Sequence, residues 1–339
     1  MRVLVTGGTG FVGSHTVAAL VQAGHTVRLL VRSPRRIRPG LGPLGVAGVA
    51  HVVGDVTDPD SVATALDGCD AVVHAASVVS LHVRDAERIL ETNRASAELV
   101  LGQAVERGLD PVIHVSSIAA LRHGDVDDPV TADSPITDNT GTYARSKAAA
   151  EKVARDLQDQ GAPVVTVYPT MVLGPHDPNI GEGTNAWRNI LRGVIPAMPP
   201  GGTHIVDVRD VAAAHLAMLE PNRGPRRFVT AGTHVTTREA IDGLAAATGR
   251  KLRIGSIPAG LVHAGGVVAD AVQRALPIKL PFGYEAATIL TNDTRCDDTD
   301  TWKQLGLTPR PLEETIADTV RWMAEQGLIT RKQAGKLAT

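Results

Sequence analysis

The stretch VLVTGGTGFVGSH, residues 3–15, decides the fold of this chain. It passes from a β-branched apolar segment through a turn that carries Gly7, Gly10 and Gly13 into an alanine-rich helical pattern. Glycine there allows a tight turn, close approach of backbone N–H groups to a pyrophosphate, and close packing of helix on strand. The first turn of the helix then offers unpaired N–H donors and a positive dipole end to phosphates. Because strand, turn and helix follow in this order, the stretch predicts a dinucleotide-binding unit in preference to an ordinary glycine-rich turn.

The rest of the first half alternates short apolar segments with longer helical patterns. Segments apolar on both faces, as in a buried parallel sheet, predict strands at 2–6, 26–31, 50–54, 71–76, 111–117 and 164–169. Helical patterns lie near 12–23, 59–67, 85–107 and 141–160. This alternation predicts an α/β fold with a Rossmann-type, doubly wound parallel sheet.

A change of composition near residue 172 predicts a second, smaller domain. Gly- and Pro-rich segments follow that point, and residues 206–219 return to a pattern of strand end and helix. We therefore expect a dinucleotide-binding domain of residues 1–172, rejoined by 206–232. Residues 173–205 and 233–339, including an amphipathic helix within 309–327, form the expected discontinuous C-terminal substrate domain.

Composition limits the classes of function. Apolar residues make up 43% of the 339, charged residues 21%, and the net charge is −2, so nothing favours a nucleic-acid or membrane-surface partner. Cys69 and Cys296 form no metal-binding or disulfide pattern. The start, MRVLVTGG, leads directly into a predicted strand, and no apolar run has the length of a membrane span. We expect a cytoplasmic protein that has no structural metal and no integral membrane segment.

The residues after the second predicted strand indicate which dinucleotide is bound. An acidic residue usually grips the ribose hydroxyls there, but VRSPRRIR, residues 31–38, carries Arg32, Arg35, Arg36 and Arg38 instead. Arginine suits a ribose 2′-phosphate, so NADP(H) is favoured and NAD(H) stays possible; a solvated loop is the alternative. Asp55, after the third strand, either accepts a hydrogen bond from the adenine amino group or stabilises a turn.

Candidate catalytic residues lie in TYARSK, residues 142–147, at the start of the fourth predicted helix. Tyr143 and Lys147 share one helix face, and Ser116 and Ser117 end the preceding strand at the same edge of the sheet as the glycine loop. A free tyrosine has a pKa of about 10, and lowering it to about 7 takes roughly 4 kcal/mol, which a neighbouring ammonium group can supply. Such a tyrosine can pass a proton to or from a carbonyl oxygen, which a serine hydroxyl can hold.

Together these motifs resemble the extended branch of the short-chain dehydrogenase/reductase superfamily over nearly the whole chain. The matching segments are TGGTGFVGSH, VVHAAS, ETNRASAELVLGQA, VSS with YARSKAAAE, YPTMVLGPHDP and VDVRDVAAAHLAML, in which Tyr168 replaces a usual arginine. Within that branch the chain looks closest to bacterial dihydroflavonol-4-reductase-like proteins, a group called NAD-dependent epimerase/dehydratase proteins.

The resemblance implies roles for individual residues. It implies a catalytic set of Ser117, Tyr143 and Lys147, with Asn93 as support. It implies an ion-pair group of Asp207, Arg209 and Asp210 that locks the domains together. The cofactor contacts expected from the residues and the resemblance together are Gly7, Gly10, Phe11, Val12, Gly13, Arg32, Arg35, Asp55, Val56, Ala75, Ala76, Tyr143, Lys147, Tyr168 and Pro169.

The expected activity is an NADP(H)-dependent reduction of a ketone or aldehyde to an alcohol, or its reverse. The alternatives are a nucleotide-sugar epimerase or dehydratase with retained NAD, a 3β-hydroxysteroid-dehydrogenase-like enzyme, and a dinucleotide sensor without chemistry. The resemblance also makes a homodimer possible. The apolar region 257–282 is expected to be an amphipathic helix, with a substrate cover or a membrane-surface helix as alternatives. His82 is a further candidate for the pocket.

Overall fold

A seven-stranded parallel sheet forms the centre of the computed structural model, which describes residues 1–78, 85–122, 124–139, 141–276, 280 and 282–338. The strands lie in the order β10 (Arg226–Thr230), β6 (Val164–Pro169), β5 (Val112–Val115), β4 (Ala71–His74), β1 (Arg2–Thr6), β2 (Thr26–Val31) and β3 (Ala50–Val53). The change of direction next to β1 places a crevice at the carboxyl ends of β1 and β4, where ligands bind in doubly wound sheets. The predicted fold class is therefore confirmed.

The elements of the large sheet and its helices come mainly from the first half of the chain. The strands are β1 Arg2–Thr6, β2 Thr26–Val31, β3 Ala50–Val53, β4 Ala71–His74, β5 Val112–Val115, β6 Val164–Pro169 and, from later in the chain, β10 Arg226–Thr230. The helices are α1 Phe11–Gln22, α2 Ile37–Leu41, α3 Pro59–Leu66, α4 Ala86–Glu106, α5 Thr142–Asp159 and, again later, α7 Val208–Ala217.

Alternate residues of each central strand enter two separate apolar cores. Val3 and Val5 of β1 pack with Val17 of α1 and Val211 of α7 on one face. Leu4 of β1 packs on the other face, in a core that includes residues of α3, α4 and α5. The sheet is thus covered on both sides, because the period of two along a strand sends successive side chains to opposite faces.

The predicted strands are confirmed, although three of them end earlier than expected. The strands predicted at 50–54, 71–76 and 111–117 stop at Val53, His74 and Val115, so the residues beyond them are free to form the site. The expectation that all six are buried on both faces is wrong for β3. Ala50, His51 and Val53 are exposed, because β3 is the edge strand and pairs only with β2.

A second group of elements follows β6. A small sheet has the order β11-β9-β7, and β12 pairs with β8. The strands are β7 Met171–Leu173, β8 Ala197–Met198, β9 Gly202–Asp207, β11 Thr233–Thr236 and β12 Gly255–Ser256. The helices are α6 Glu182–Leu191, α8 Thr237–Thr248, α9 Ala259–Ala275, α10 Tyr284–Thr291, α11 Thr299–Leu305, α12 Leu312–Glu325 and α13 Arg331–Ala334.

Two predicted helices of this region are observed. The amphipathic pattern at 309–327 corresponds to α12, whose Ile316, Val320 and Met323 are buried in a third apolar core. The apolar region at 257–282 contains α9, which packs against α10 while Leu261 and Val268 are exposed. In the part of the chain that the structure describes, none of the helices combines the length and the apolar character needed to cross a bilayer.

Candidate active site

The glycine loop lies directly against the end of β4. Gly7 has φ +70°, and a Cβ atom there would stand 2.6 Å from the backbone of Ala75 and Ala76. A Cβ on Gly13 would stand 2.2 Å from the carbonyl oxygen of Gly7. Since real side chains never approach backbone so closely, glycine is required at both positions.

Helix α1 begins at this loop with free donors in its first turn. Its N-cap is Gly10, which has no side chain that could cap the helix. The first hydrogen bond within the helix runs from Ser14 N to Gly10 O. The N–H groups of Phe11, Val12 and Gly13 therefore have no acceptor within the helix. Such donors at the positive end of a helix bind anionic oxygens.

An open groove of about 580 Å³ runs along the carboxyl ends of β1 to β4. It brings together predicted residues from five separate segments of the chain. The predicted residues that line it are Gly7, Gly10, Arg32, Asp55, Val56, Ala75, Ala76 and Asn93. The lining residues lie at the ends of several neighbouring strands, so an extended ligand can contact all of these segments.

Cationic side chains lie at the outer end of the groove. Arg32 and Arg36 both line it, and the Arg36 guanidinium donates to Asn179 Oδ1 from the loop after β7. Arg35 is exposed and is not among the lining residues. The sequence pattern thus predicted a cationic edge, but it could not tell which arginines of the 31–38 segment turn towards the groove.

Asp55 has the turn role that the sequence left open, while its contact with an adenine amino group stays a prediction. It lines the groove, and its Oδ1 accepts hydrogen bonds from Thr57 N at 3.0 Å and Thr57 Oγ1 at 2.8 Å. The turn therefore fixes the carboxyl group at the carboxyl end of β3. The cap of α3 is provided by Asp58 instead, whose Oδ2 accepts from Ser61 N.

Tyr143 stands in the first turn of α5, beside the end of β5. Its phenol lies near Ser117, whose Oγ accepts from Ala119 N at 3.2 Å. Burial raises the pKa of Tyr143, the nearby Ser117 hydroxyl opposes that rise, and the Glu285 carboxylate adds to it. The expectation that Lys147 lowers this pKa towards neutrality is therefore wrong for this structure.

Lys147 is buried one helical turn beyond Tyr143, with only 6% of its surface exposed. Its Nζ donates to Val115 O at 3.5 Å, so the ammonium lies at the carboxyl end of β5. Burial lowers the pKa of Lys147 to about 8, although the nearby Glu151 carboxylate acts in the opposite direction. A buried ammonium group has lost its hydrating water, so a hydrogen bond to a ligand hydroxyl or another polar partner stabilises it strongly.

Asn93 connects the groove to the helix that carries Tyr143. The side chain exchanges two hydrogen bonds with the backbone of Val78, at 2.8 and 2.9 Å. Its Nδ2 also lies 3.3 Å from Ser146 Oγ, and Ser146 in turn donates to Tyr143 O. The residue thus fixes the chain after β4 against α5 instead of touching Lys147.

Tyr168 lies elsewhere than the proposed cofactor contact suggests. Its side chain is fully buried, and its hydroxyl donates to Glu151 Oε1 at 2.6 Å. Arg155 Nε donates to the same carboxylate oxygen at 3.0 Å. The phenol therefore belongs to a buried network beneath α5, and neither Tyr168 nor Pro169 is among the residues that line the groove.

Sequence reasoning missed three groups around the site. Glu151 and Arg155 continue the four-residue spacing of Tyr143 and Lys147 along α5, so a search for this spacing would have found them. Glu285 bonds to the backbone of α5 from the far end of the chain, and no local signal marks it. The candidate His82 lies outside the described residues.

The donor set fits a nicotinamide dinucleotide. The glycine cradle admits a pyrophosphate, the first-turn N–H groups face it, and Arg32 and Arg36 supply positive charge at one end of the groove. Ser117, Tyr143 and Lys147 gather at the ends of β5 and α5, on the same edge of the sheet. These three residues do not line the groove itself, and Asn93, which does, connects it to α5 through Ser146.

Several known proteins are similar to this chain in sequence or in fold. The chain is 28% identical over 334 residues to sterol demethylase protein B of Methylococcus capsulatus, covering 97% of this chain and 100% of that protein. A Synechocystis sp. protein with the provisional name dihydroflavonol 4-reductase is 29% identical, covering 96% and 95%. The solved UDP-glucose-4-epimerase of Stenotrophomonas maltophila with bound NAD and formylated UDP-arabinopyranose has a TM-score of 0.77 at 20% identity, covering 96% and 99%, so the fold is shared.

A family model decides the classification. The model of the NAD dependent epimerase/dehydratase family matches residues 3–231, which include the glycine loop, the groove, and the whole of α5. The match covers more than half of the chain, and the resemblance drawn from the sequence motifs is confirmed. This chain belongs to the NAD-dependent epimerase/dehydratase family, a group of NAD(P)-dependent enzymes within the extended short-chain dehydrogenases/reductases.

Proposed function

We propose that this protein is an NADP(H)-dependent oxidoreductase that reduces a ketone or aldehyde to an alcohol, or catalyses the reverse reaction. The observation that carries the proposal is the juxtaposition of the Tyr143 phenol and Ser117, with the Lys147 ammonium at the adjoining end of β5. A proton donor next to a second hydroxyl is what a carbonyl oxygen needs as it becomes an alcohol. The nicotinamide, when bound, supplies or accepts the hydride.

The protein's own residues have separate tasks in this reaction. Ser117 and Tyr143 hold the substrate oxygen, and Tyr143 donates the proton in the direction of reduction. The raised pKa of Tyr143, due first to burial, keeps the phenol protonated at neutral pH, which suits an acid. Lys147 holds a ligand hydroxyl near the tyrosine, and Asn93 keeps α5 in place through Ser146.

The preference for NADP(H) rests on charge. Arg32 and Arg36 line the groove near the end of β2, where a ribose 2′-phosphate would lie, and α1 starts with three free N–H groups for the pyrophosphate. Arginine binds a phosphate dianion through paired hydrogen bonds. The discriminating experiment is a titration of purified protein with NADPH, NADP, NADH and NAD, followed by measurement of affinity. Tighter binding of the two phosphorylated forms supports the preference, and equal affinities contradict it.

A nucleotide-sugar epimerase is the second candidate, favoured by the name of the family and by the structure of the Stenotrophomonas epimerase. An epimerase returns its hydride to the substrate, so the cofactor shows no net change. A screen of carbonyl compounds with NADPH, alongside UDP-sugars with NAD, separates the two. Net NADPH consumption supports the reductase, and isomerised sugar without net cofactor change supports the epimerase. The sterol-related relative makes apolar ketones the first compounds to screen.

The substitution Tyr143→Phe tests the proton donor. It removes one hydroxyl group and keeps the ring, so we expect turnover to fall by a factor of about 10² to 10⁴ while NADPH affinity changes little. Rates are measured under saturating NADPH, and affinity is measured by fluorescence titration. A normal rate in the variant would remove Tyr143 from the mechanism, whatever the substrate.

A further inference from the structure

The start of the catalytic helix α5 is capped by a residue from the far end of the chain. Glu285, in the first turn of α10, places its carboxylate on the backbone of α5. Tyr143 N donates to Oε1 and Oε2 at 3.0 and 3.2 Å, and Ala144 N donates to Oε1 at 3.2 Å. The local N-cap, Gly141, has no side chain that could accept these bonds. The carboxylate therefore satisfies donors that a helix start otherwise leaves to water or to a ligand.

Gly141 and Glu285 fit each other sterically. A Cβ atom on Gly141 would stand 2.4 Å from Glu285 Oε1, so only glycine leaves room for the carboxylate. Helix α10 is itself held close to α9, because a Cβ on Gly266 of α9 would stand 2.8 Å from the Cα of Tyr284. Two glycines thus seat α10 against its neighbours and fix the Glu285 side chain over the N-terminus of α5.

The charged groups around this contact include one carboxylate that acts directly on the tyrosine. Tyr143 faces Ser117 at the end of β5 and Glu285 on α10, while Lys147 lies one turn further along α5. Burial raises the pKa of Glu285, and the charge of Asp270 of α9 adds to that rise. A carboxylate bound to the Tyr143 amide also offsets the positive potential of the helix start, which would otherwise favour a phenolate there.

We propose that Glu285 is a positioning residue that holds the N-terminus of α5 and keeps Tyr143 protonated, so that α9 and α10 set the working pH range of the active site. The proposal rests on the proposed function, in which Tyr143 is the proton donor. It predicts that the Glu285 carboxylate keeps the Tyr143 hydroxyl protonated up to a higher pH. The tyrosine can then act as the acid in carbonyl reduction over a wider pH range.

The test is the substitution Glu285→Gln, which keeps the shape and an accepting oxygen but removes the charge. The chain has only three tyrosines, so their ionisation can be followed by tyrosinate absorbance during a pH titration. Tyr143→Phe identifies the transition that belongs to Tyr143. We expect that transition to move down by on the order of one pH unit in Glu285→Gln. The alkaline limb of the pH–rate profile for reduction should move by the same amount.

Two further variants keep the result interpretable. Gly141→Ala leaves the carboxyl group in the chain but denies it its place on α5, so the transition should move in the same direction. Glu106→Gln makes the same chemical change at an exposed residue of the last turn of α4, so it should not change the pH of the Tyr143 transition. An unmoved Tyr143 transition in both Glu285→Gln and Gly141→Ala overturns the proposal.

The tyrosine titration needs no substrate, so the two proposals can fail separately. If the transition moves as expected but Tyr143→Phe retains full turnover, the proposed function is wrong while the electrostatic role of Glu285 stands. If Tyr143→Phe abolishes turnover and the transition does not respond to Glu285, the reductase proposal stands and Glu285 is only a structural cap.

Discussion

Tyr168 illustrates how one side chain can hold a buried acid in place. It occupies a position where the resemblance expects arginine, and its hydroxyl bonds to the fully buried carboxylate of Glu151. Burial raises the pKa of Glu151, while the bonds from Tyr168 and Arg155 act to lower it. Arg155, four residues further along α5, supplies the positive charge that the tyrosine lacks. The substitution at residue 168 is thus accommodated by a partner on the neighbouring helix.

The substitution Tyr168→Phe should therefore reduce stability. It removes the 2.6 Å hydrogen bond to Glu151 and leaves part of a buried carboxylate without its partner, at a cost of about 1–3 kcal/mol in the free energy of unfolding. The measurement is urea unfolding at neutral pH. Tyr284→Phe is the matched control, because the Tyr284 ring is 48% exposed. Equal losses in the two variants would contradict the role assigned to Tyr168.

At the scale of an element, α1 depends on its glycine at residue 13 in a way that α4 does not depend on its glycine at residue 102. Gly13 faces the carbonyl oxygen of Gly7, so the helix start and the loop before it are in backbone contact. Gly102, in the interior of α4, has nothing within 4 Å of the position its Cβ would take. The same residue type therefore serves close packing in α1 and only weakens the helix in α4.

Gly13→Ala and Gly102→Ala should accordingly change stability in opposite directions. The alanine at residue 13 forces the loop away from α1, which should cost about 1–3 kcal/mol and weaken dinucleotide binding. The alanine at residue 102 should stabilise α4 by about 0.5–1 kcal/mol, because alanine is the better helix former. Urea unfolding measures both effects, and NADPH titration measures the loss of binding. If Gly13→Ala stabilised the protein, the space next to residue 13 would have to be larger than the structure shows, and the predicted steric conflict with Gly7 would be wrong.

Local patterns predicted six of the seven strands of the large sheet, because those strands carry their own apolar signals, but they did not predict β10. They also predicted Gly7, Gly10, Arg32 and Asp55 at one edge, since the carboxyl ends of parallel strands meet there. They failed where distance along the chain matters. The contact between Glu285 and Tyr143 joins residues 142 positions apart, and the pKa of Tyr143 depends on that contact and on burial. Neither this long-range contact nor the burial of the tyrosine can be predicted from the spacing of residues along the sequence.

At the scale of the whole molecule, α7 joins the elements around the large sheet to the C-terminal helices. Arg209 of α7 pairs with Asp207 at 2.7 Å and with Asp318 of α12 at 2.8 Å, and Thr315 donates to the same Asp207 carboxylate. Asp210 accepts from Arg310 N at 2.7 Å and pairs with its guanidinium. The ion-pair group expected from the sequence therefore exists, with partners from α12 and residue 310 that the sequence did not identify.

Arg209→Met should destabilise the protein more than the loss of a surface ion pair. The Asp207 side chain is fully buried and the Arg209 side chain is 26% exposed, so the variant leaves a buried carboxylate with Thr315 and one backbone N–H. The expected loss is about 3 kcal/mol in the free energy of unfolding. The control is Arg238→Met, whose pair with Asp242 is 76% and 56% exposed and should cost about 0–1 kcal/mol.

The pH dependence gives this last prediction a second measurement. Burial alone would raise the pKa of Asp207, but the bonds from Arg209 and Thr315 outweigh burial and lower it. A lowered carboxyl pKa contributes stability that is present above the ordinary carboxyl pKa and is lost as the pH falls through the folded-state value. Urea unfolding at neutral pH and below pH about 4 should therefore show the difference between wild type and Arg209→Met shrinking in acid. A difference that stays constant across this range would mean that Arg209 stabilises the molecule through packing and not through the charge of Asp207.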